Sequence, residues 1–104
     1  MDIYKIDLNN TNYVLEFYQR VYQSLDLQLD FVPGNNLDAL WDVLTGFLDG
    51  QAKFYFYGIN SLSTELEKFF YNDFLRIFNE AENWYSNYNE EFSIAIVDWY
   101  FKQL

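Results

Sequence analysis

Neither cysteine nor histidine occurs among the 104 residues. Without cysteine the chain has no disulfide to hold it and no thiolate to offer a substrate or a metal. Without histidine the common nucleophile–base pairs are excluded too, and so are most zinc sites. No glycine-rich phosphate loop is present, and the only proline, Pro33, sits beside Gly34 in a short turn region. No apolar run approaches the roughly 20 residues that cross a bilayer. The opening Met1-Asp2-Ile3-Tyr4-Lys5 lacks the basic region and apolar stretch of a signal peptide. A cytoplasmic protein without a membrane partner is expected, with no cofactor and no metal.

Positive charge is also scarce. Six Lys and Arg stand against sixteen Asp and Glu, a net charge of −10. Such a field repels phosphate backbones, which argues against nucleic acid as a partner, and it speeds encounter with a basic protein. Surplus acid also serves plain solubility, so charge alone does not choose between these uses. What the chain has in abundance is aromatic rings: eleven Phe, ten Tyr and three Trp. Each buries a large area, so even a short chain acquires a substantial core. One domain spanning residues 1–104 is expected.

Residues 3–8 alternate, with Tyr4, Ile6 and Leu8 on one side and Lys5 and Asp7 on the other, as in a half-buried strand. Asn9, Asn10 and Thr11 supply turn and cap chemistry. Val14, Tyr18, Val21, Tyr22 and Leu25 follow at helical spacing, and residues 26–36 form a loop. From Asn36, a stripe of Leu37, Leu40, Trp41, Leu44 and Leu48 predicts a second helix closed by Gly50. Residues 52–57 read as a second strand. Residues 61–85 are helical again, with Thr64 and Glu67 spaced as a capping box and Asn72-Asp73 predicted to divide the segment into two helices. A polar linker follows over 86–91, then an apolar strand over 92–99. The order β-α-α-β-α-α-β gives an α/β fold, in which right-handed crossovers place three strands in a parallel sheet with about four helices packed on it.

The second helix carries the chemical signal. Opposite its apolar stripe lie Asp38, Asp42, Thr45 and Asp49, at i, i+4, i+7 and i+11. Asp38 is favoured by the macrodipole at the helix N-terminus. Asp42 lies one turn deeper and repels it, at a cost of a few tenths of a kcal/mol. A solvated polar face would explain the stripe, but stability alone would not select the second acid. The string Asn36-Leu37-Asp38-Ala39-Leu40-Trp41-Asp42-x-Leu44-Thr45-Gly46, with Gly34 two residues upstream, closely resembles the barstar motif. Local similarity covers about fourteen residues, with a weaker echo at Phe78-Asn79-Glu80-Ala81. The element order resembles the barstar fold as well.

The resemblance implies an immunity protein that binds a cognate ribonuclease toxin, one to one, by placing an acidic helix and its preceding loop in the basic active site where RNA phosphates would lie. Asp42 would be the central anion and Asp38 a second acid facing the basic rim. Gly34, Asn36 and Leu37 would supply loop contacts, bordered by Trp41 and Thr45, and Glu80 would add an outlying ion pair. Glu80 has a plainer use as the surface partner of Arg76, and Trp41 as a core residue. The family's paired tyrosines before the glycine become Val32 and Pro33 here, one of its tryptophans becomes Phe47, and an acid one turn beyond Glu80 becomes Trp84. Substitutions in such places tune partner choice, so the cognate toxin is expected to differ while the binding mode persists. A secreted ribonuclease and the nuclease tip of a contact-dependent toxin both fit.

Two other readings stand beside this one. Asp38 and Asp42 are also a carboxylate pair of the kind used in glycoside hydrolysis or magnesium binding, although nothing else in the sequence builds a cleft around them. A barstar-like domain regulating a basic partner that is not a nuclease is the second.

Overall fold

Apolar–polar alternation builds the sheet. In the computed structural model, which describes residues 2–25, 33–48 and 51–97, three strands run parallel: β1 (Asp2–Asp7), β2 (Ala52–Tyr57) and β3 (Phe92–Ile96). Their order in the sheet is their order in sequence. The register pairs Tyr4 with Phe54 and Phe54 with Ile94, and Ile6 with Phe56 and Phe56 with Ile96. Even-numbered residues therefore share one face, and Ile6, Phe54, Phe56 and Phe92 on it are buried. Consecutive parallel strands joined by crossovers of one hand carry all their connections on the same side, and the described helices lie on that side.

Among the described residues three helical bodies supply the cover, one fewer than the sequence suggests. Helix α1 (Val14–Leu25) buries Phe17, Tyr18, Val21 and Leu25, and α2 (Leu37–Gly46) buries Leu40, Val43 and Leu44. The third body is a continuous rod: α3 (Thr64–Phe69), a π turn (Phe70–Phe74) and α4 (Leu75–Ser86). The polar pair Asn72-Asp73 does not end the helix. No Gly or Pro stands there to stop it, and Phe70 and Phe74 on either side are both fully buried. The backbone stays helical and widens instead, with the Leu75 N–H reaching back five residues to the Phe70 carbonyl.

Other departures are local. The rod is capped by Ser63, whose hydroxyl accepts from the Leu66 N–H at 3.3 Å, so the Thr64–Glu67 box is not formed. Glu16, rather than Thr11, caps α1, accepting from the N–H groups of Asn12 and Tyr13 at 3.0 and 3.1 Å. Helix α2 stops at Gly46, earlier than the apolar stripe suggests, after the weak helix formers Thr45 and Gly46. Strand β3 stops at Ile96, although the Val97 N–H still donates to the Phe56 carbonyl. Gly50, Asp49 and residues 98–104 lie outside the described residues.

The core is a ring lattice. Phe56 meets Phe70, Phe74 and Phe78 edge-on at 5.4, 6.4 and 5.1 Å, and Phe54 meets Phe78 at 5.0 Å. Phe17 brings α1 into the same cluster through Phe74 at 5.3 Å. Offset and edge-to-face rings at these separations gain attraction beyond the area they bury. Polar links close the ends. Arg20 donates to the carbonyls of Asp7, Asn9 and Asn10, fixing the β1–α1 turn. Gly58, at φ 82°, turns the chain after β2 where a Cβ would lie 2.7 Å from the Asn9 backbone nitrogen.

Two hydroxyls tie α2 into this body. Tyr85 donates to the carbonyl of Leu44, near the C-terminal end of α2, where carbonyls lack helical partners. Tyr22 on α1 donates to the carbonyl of Gly34, in the loop before α2, at 2.9 Å. Replacing Tyr85 with Phe leaves a buried acceptor unpaired and is expected to cost about 1–3 kcal/mol in urea unfolding. Burial, and secondarily Tyr18, push the Tyr22 phenol up to about 12. A folded-state pKa above the unfolded value means that this stabilisation is complete below pH 10 and disappears as pH rises toward 12. Unfolding midpoints should therefore fall across that interval, and the fall should be smaller in Tyr22→Phe, whose phenolate absorbance titration also lacks a late step.

Candidate functional site

Helix α2 is held at both ends before it offers anything to a partner. Asn36 stands at its N-cap in extended conformation, and its Oδ1 accepts from the Ala39 N–H at 2.8 Å. This cap occupies the Asn36 side-chain oxygen within the protein. Just upstream, Gly34 passes so close that a Cβ there would lie 2.8 Å from the Asn36 side-chain nitrogen. Leu37 is half-buried and packs on the core.

The outer face is then set by helical geometry. At about 100° per residue, Asp38, Asp42 and Thr45 fall within one narrow sector, and Trp41 lies at its edge. Asp38 and Asp42 are exposed. The one ion pair among the described residues is Arg20–Glu16, and neither aspartate has a hydrogen bond among them. The Thr45 hydroxyl donates to the Trp41 carbonyl at 2.8 Å, so its proton is used within the helix. Phe47, at the C-cap, is 44% exposed.

Trp41 points along the flank of α2 toward α4. There it meets Trp84 edge-on at 6.4 Å. Trp84 in turn contacts Tyr88 at 5.1 Å, and Tyr88 is 61% exposed. Glu80 lies one turn before Trp84 on α4 and is exposed; it forms no ion pair with Arg76. The structure thus brings Asp38, Asp42, Thr45, Trp41, Trp84 and Glu80 onto adjoining faces of two packed helices, with Gly34, Asn36 and Leu37 at the entry to α2. Val32 lies outside the described residues.

Tyr88 belongs beside this surface and was not picked out by sequence reading, which placed it in a polar linker. Its signal was the Trp84-x-x-x-Tyr88 spacing, which continues the face of α4 past the last helical residue, Ser86. Chemically, the surface offers carboxylates without partners among the described residues, next to half-buried rings. Such groups accept charge-assisted hydrogen bonds from arginine or lysine and stack on planar cations. Among the described residues no three Asp or Glu side chains converge as a metal-ion site, and no described helix is long and apolar enough to cross a membrane.

Comparison with known proteins bears on the same residues. A search of curated proteins returns no match. The family model for Barstar (barnase inhibitor) matches residues 1–97 and so spans the sheet, all three helical bodies and the acidic face of α2. Parallel sheet, helical cover and motif agree with that match: the chain belongs to the barstar family.

Proposed function

We propose that this protein is an immunity-type inhibitor that binds a cognate ribonuclease toxin in the cytoplasm, one to one, with the outer face of α2 in the toxin's basic active site. The supporting observation is the pair Asp38 and Asp42: exposed, one turn apart and without partners among the described residues, on a helix anchored at both ends. A ribonuclease gathers cationic groups to stabilise the phosphoryl transition state. Carboxylates held rigidly before that cluster take the places of RNA phosphates through charge-assisted hydrogen bonds. Asp42 acts as the central anion and Asp38 as the second. Gly34, Asn36 and Leu37 shape the approach, and Val32 continues it upstream. Thr45 and Phe47 border one side, while Trp41, Trp84 and Glu80 border the other. The protein acts by occupying a site and performs no turnover of its own.

Co-expression with the nuclease encoded beside this gene tests the proposal. The wild-type chain restores growth. Asp42→Ala weakens Kd by at least about 30-fold, equivalent to roughly 2 kcal/mol, as expected for a buried interface anchor; interfaces that establish this scale include the barnase–barstar pair itself. Glu65→Ala, about 22 Å from Glu80 along the rod, leaves rescue intact. Equal behaviour of the two variants, or no rescue by the wild type, rejects the inhibitor reading and favours a regulator of another basic partner. A charge-steered complex also associates more slowly as salt rises, whereas a rate flat from 20 to 500 mM, roughly a fivefold change in Debye length, would exclude steering.

A further inference from the structure

The two helices that carry the candidate surface end side by side. Each precedes a strand of a parallel sheet, so each runs back against the strands and stops at the same edge. The Trp41–Trp84 contact and the bond from the Tyr85 hydroxyl to the Leu44 carbonyl hold the two ends together. A helix C-terminus carries partial negative charge and is stabilised by a nearby cation. Neither α2 nor α4 has Lys or Arg in its last turn. Residues 80–91 add Glu80, Glu82, Glu90 and Glu91 without one basic residue, and none of the four forms an ion pair among the described residues.

Rings stand at this negative corner. Trp84 is braced edge-on by Trp41 at 6.4 Å and by Tyr85 at 4.9 Å. Tyr88 lies 5.1 Å from Trp84 and is 61% exposed. Its backbone belongs to a closed turn: Asn89 is left-handed at φ 57°. The N–H groups of Asn89 and Glu90 return to the carbonyls of Ser86 and Tyr85, both at 3.2 Å, the closure that ends many helices. An exposed ring fixed in this way loses little freedom on contact. No cation lies over Trp84 or Tyr88 among the described residues.

We propose that Trp84 and Tyr88 seat an arginine side chain of the basic partner, beside the cations met by Asp38 and Asp42. Who carries that arginine rests on the proposed function; the chemistry of the seat does not. An apolar group would use the rings and leave the surrounding charge unanswered. An ammonium answers the charge but holds its water strongly. A guanidinium is planar and weakly hydrated, so it lies flat on a ring while its edge donates to carboxylates. Tyr88 is thereby a specificity-determining residue of the surface.

Short blocked peptides test the seat without a nuclease. In isotope-labelled protein at low salt, a Gly-Arg-Gly peptide should shift the Trp84 indole and Tyr88 amide signals. Its lysine counterpart should bind there about threefold more weakly, the scale of an exposed cation–π contact. Tyr88→Leu keeps the apolar bulk without the ring and should lose the same factor, whereas Tyr88→Phe retains binding. Equal affinity for the two peptides, shifts confined to Asp38 and Asp42, or an unchanged titration in Tyr88→Leu overturns the proposal. In the nuclease complex, Tyr88→Leu should weaken Kd by about threefold and become indifferent to replacement of one nuclease arginine. Coupling to a nuclease lysine or apolar residue instead, or no weakening, rejects the arginine. If the wild-type chain does not bind that nuclease, the proposed function fails and the peptide titration still decides this inference.

Discussion

The bond from the Tyr85 hydroxyl to the Leu44 carbonyl is the contact on which the candidate surface depends. It spans 41 positions in sequence and joins α4 to α2 where the latter runs out of internal hydrogen-bond partners. The Tyr85 ring is itself stacked on Phe92 of β3 at 5.1 Å, so the acidic helix is connected through one side chain to both rod and sheet. Tyr22 and the Asn36 cap do the same at the other end. A helix fixed in this way loses little freedom when a partner docks, and less of the interaction is then offset by ordering.

Much of this was legible in the sequence. Alternation located β1, richness in Phe and Tyr located β2, the 3.6-residue period located α1, and the Asn36–Gly46 string pointed to the family. What escaped was whatever depends on contacts distant in sequence. The Asn72-Asp73 pair signals a break by local preference, but Phe70 and Phe74 are both claimed by the core, and burial overrides the polar pair. Thr64 and Ser63 are equivalent cap residues by type; only the path of the preceding 3₁₀ turn, Ile59–Ser61, selects Ser63. The partners of Tyr85 and Tyr22 follow no spacing rule, since a hydroxyl finding a carbonyl across the fold leaves no periodic trace. For the site itself, the sequence supplied the acids and the structure supplied their neighbours, notably the seam of Trp41, Trp84 and Tyr88.

That seam changes the character of the surface. Net charge dominates the long-range field, yet the flank of α2 facing α4 is ringed by aromatic side chains rather than by further acids. Charge draws a basic partner in without much regard to its identity. Rings discriminate by shape, and the tryptophan and tyrosine side chains are those most often found as interface anchors. For the proposed inhibitor, attraction and selection thus lie side by side: two aspartates on the outer face of α2 and rings along the α2–α4 seam, with Glu80 as an outlying acid on α4.

The π turn bears on both. Buried residues on the rod recur mostly at intervals of four, from Leu66 through Phe70, Phe74 and Phe78. In a regular helix each such step overshoots a full turn by about 40°, so the buried line would wind off the core. One extra residue in the turn at Phe70–Phe74 takes up that drift. It acts as a gear tooth between the two halves of the rod: α3 and α4 are each set to their own packing surface. Removing a single residue there would rotate everything downstream by about 100°, carrying Trp84 off Trp41 and the Tyr85 hydroxyl off Leu44 without altering one residue of the acidic helix.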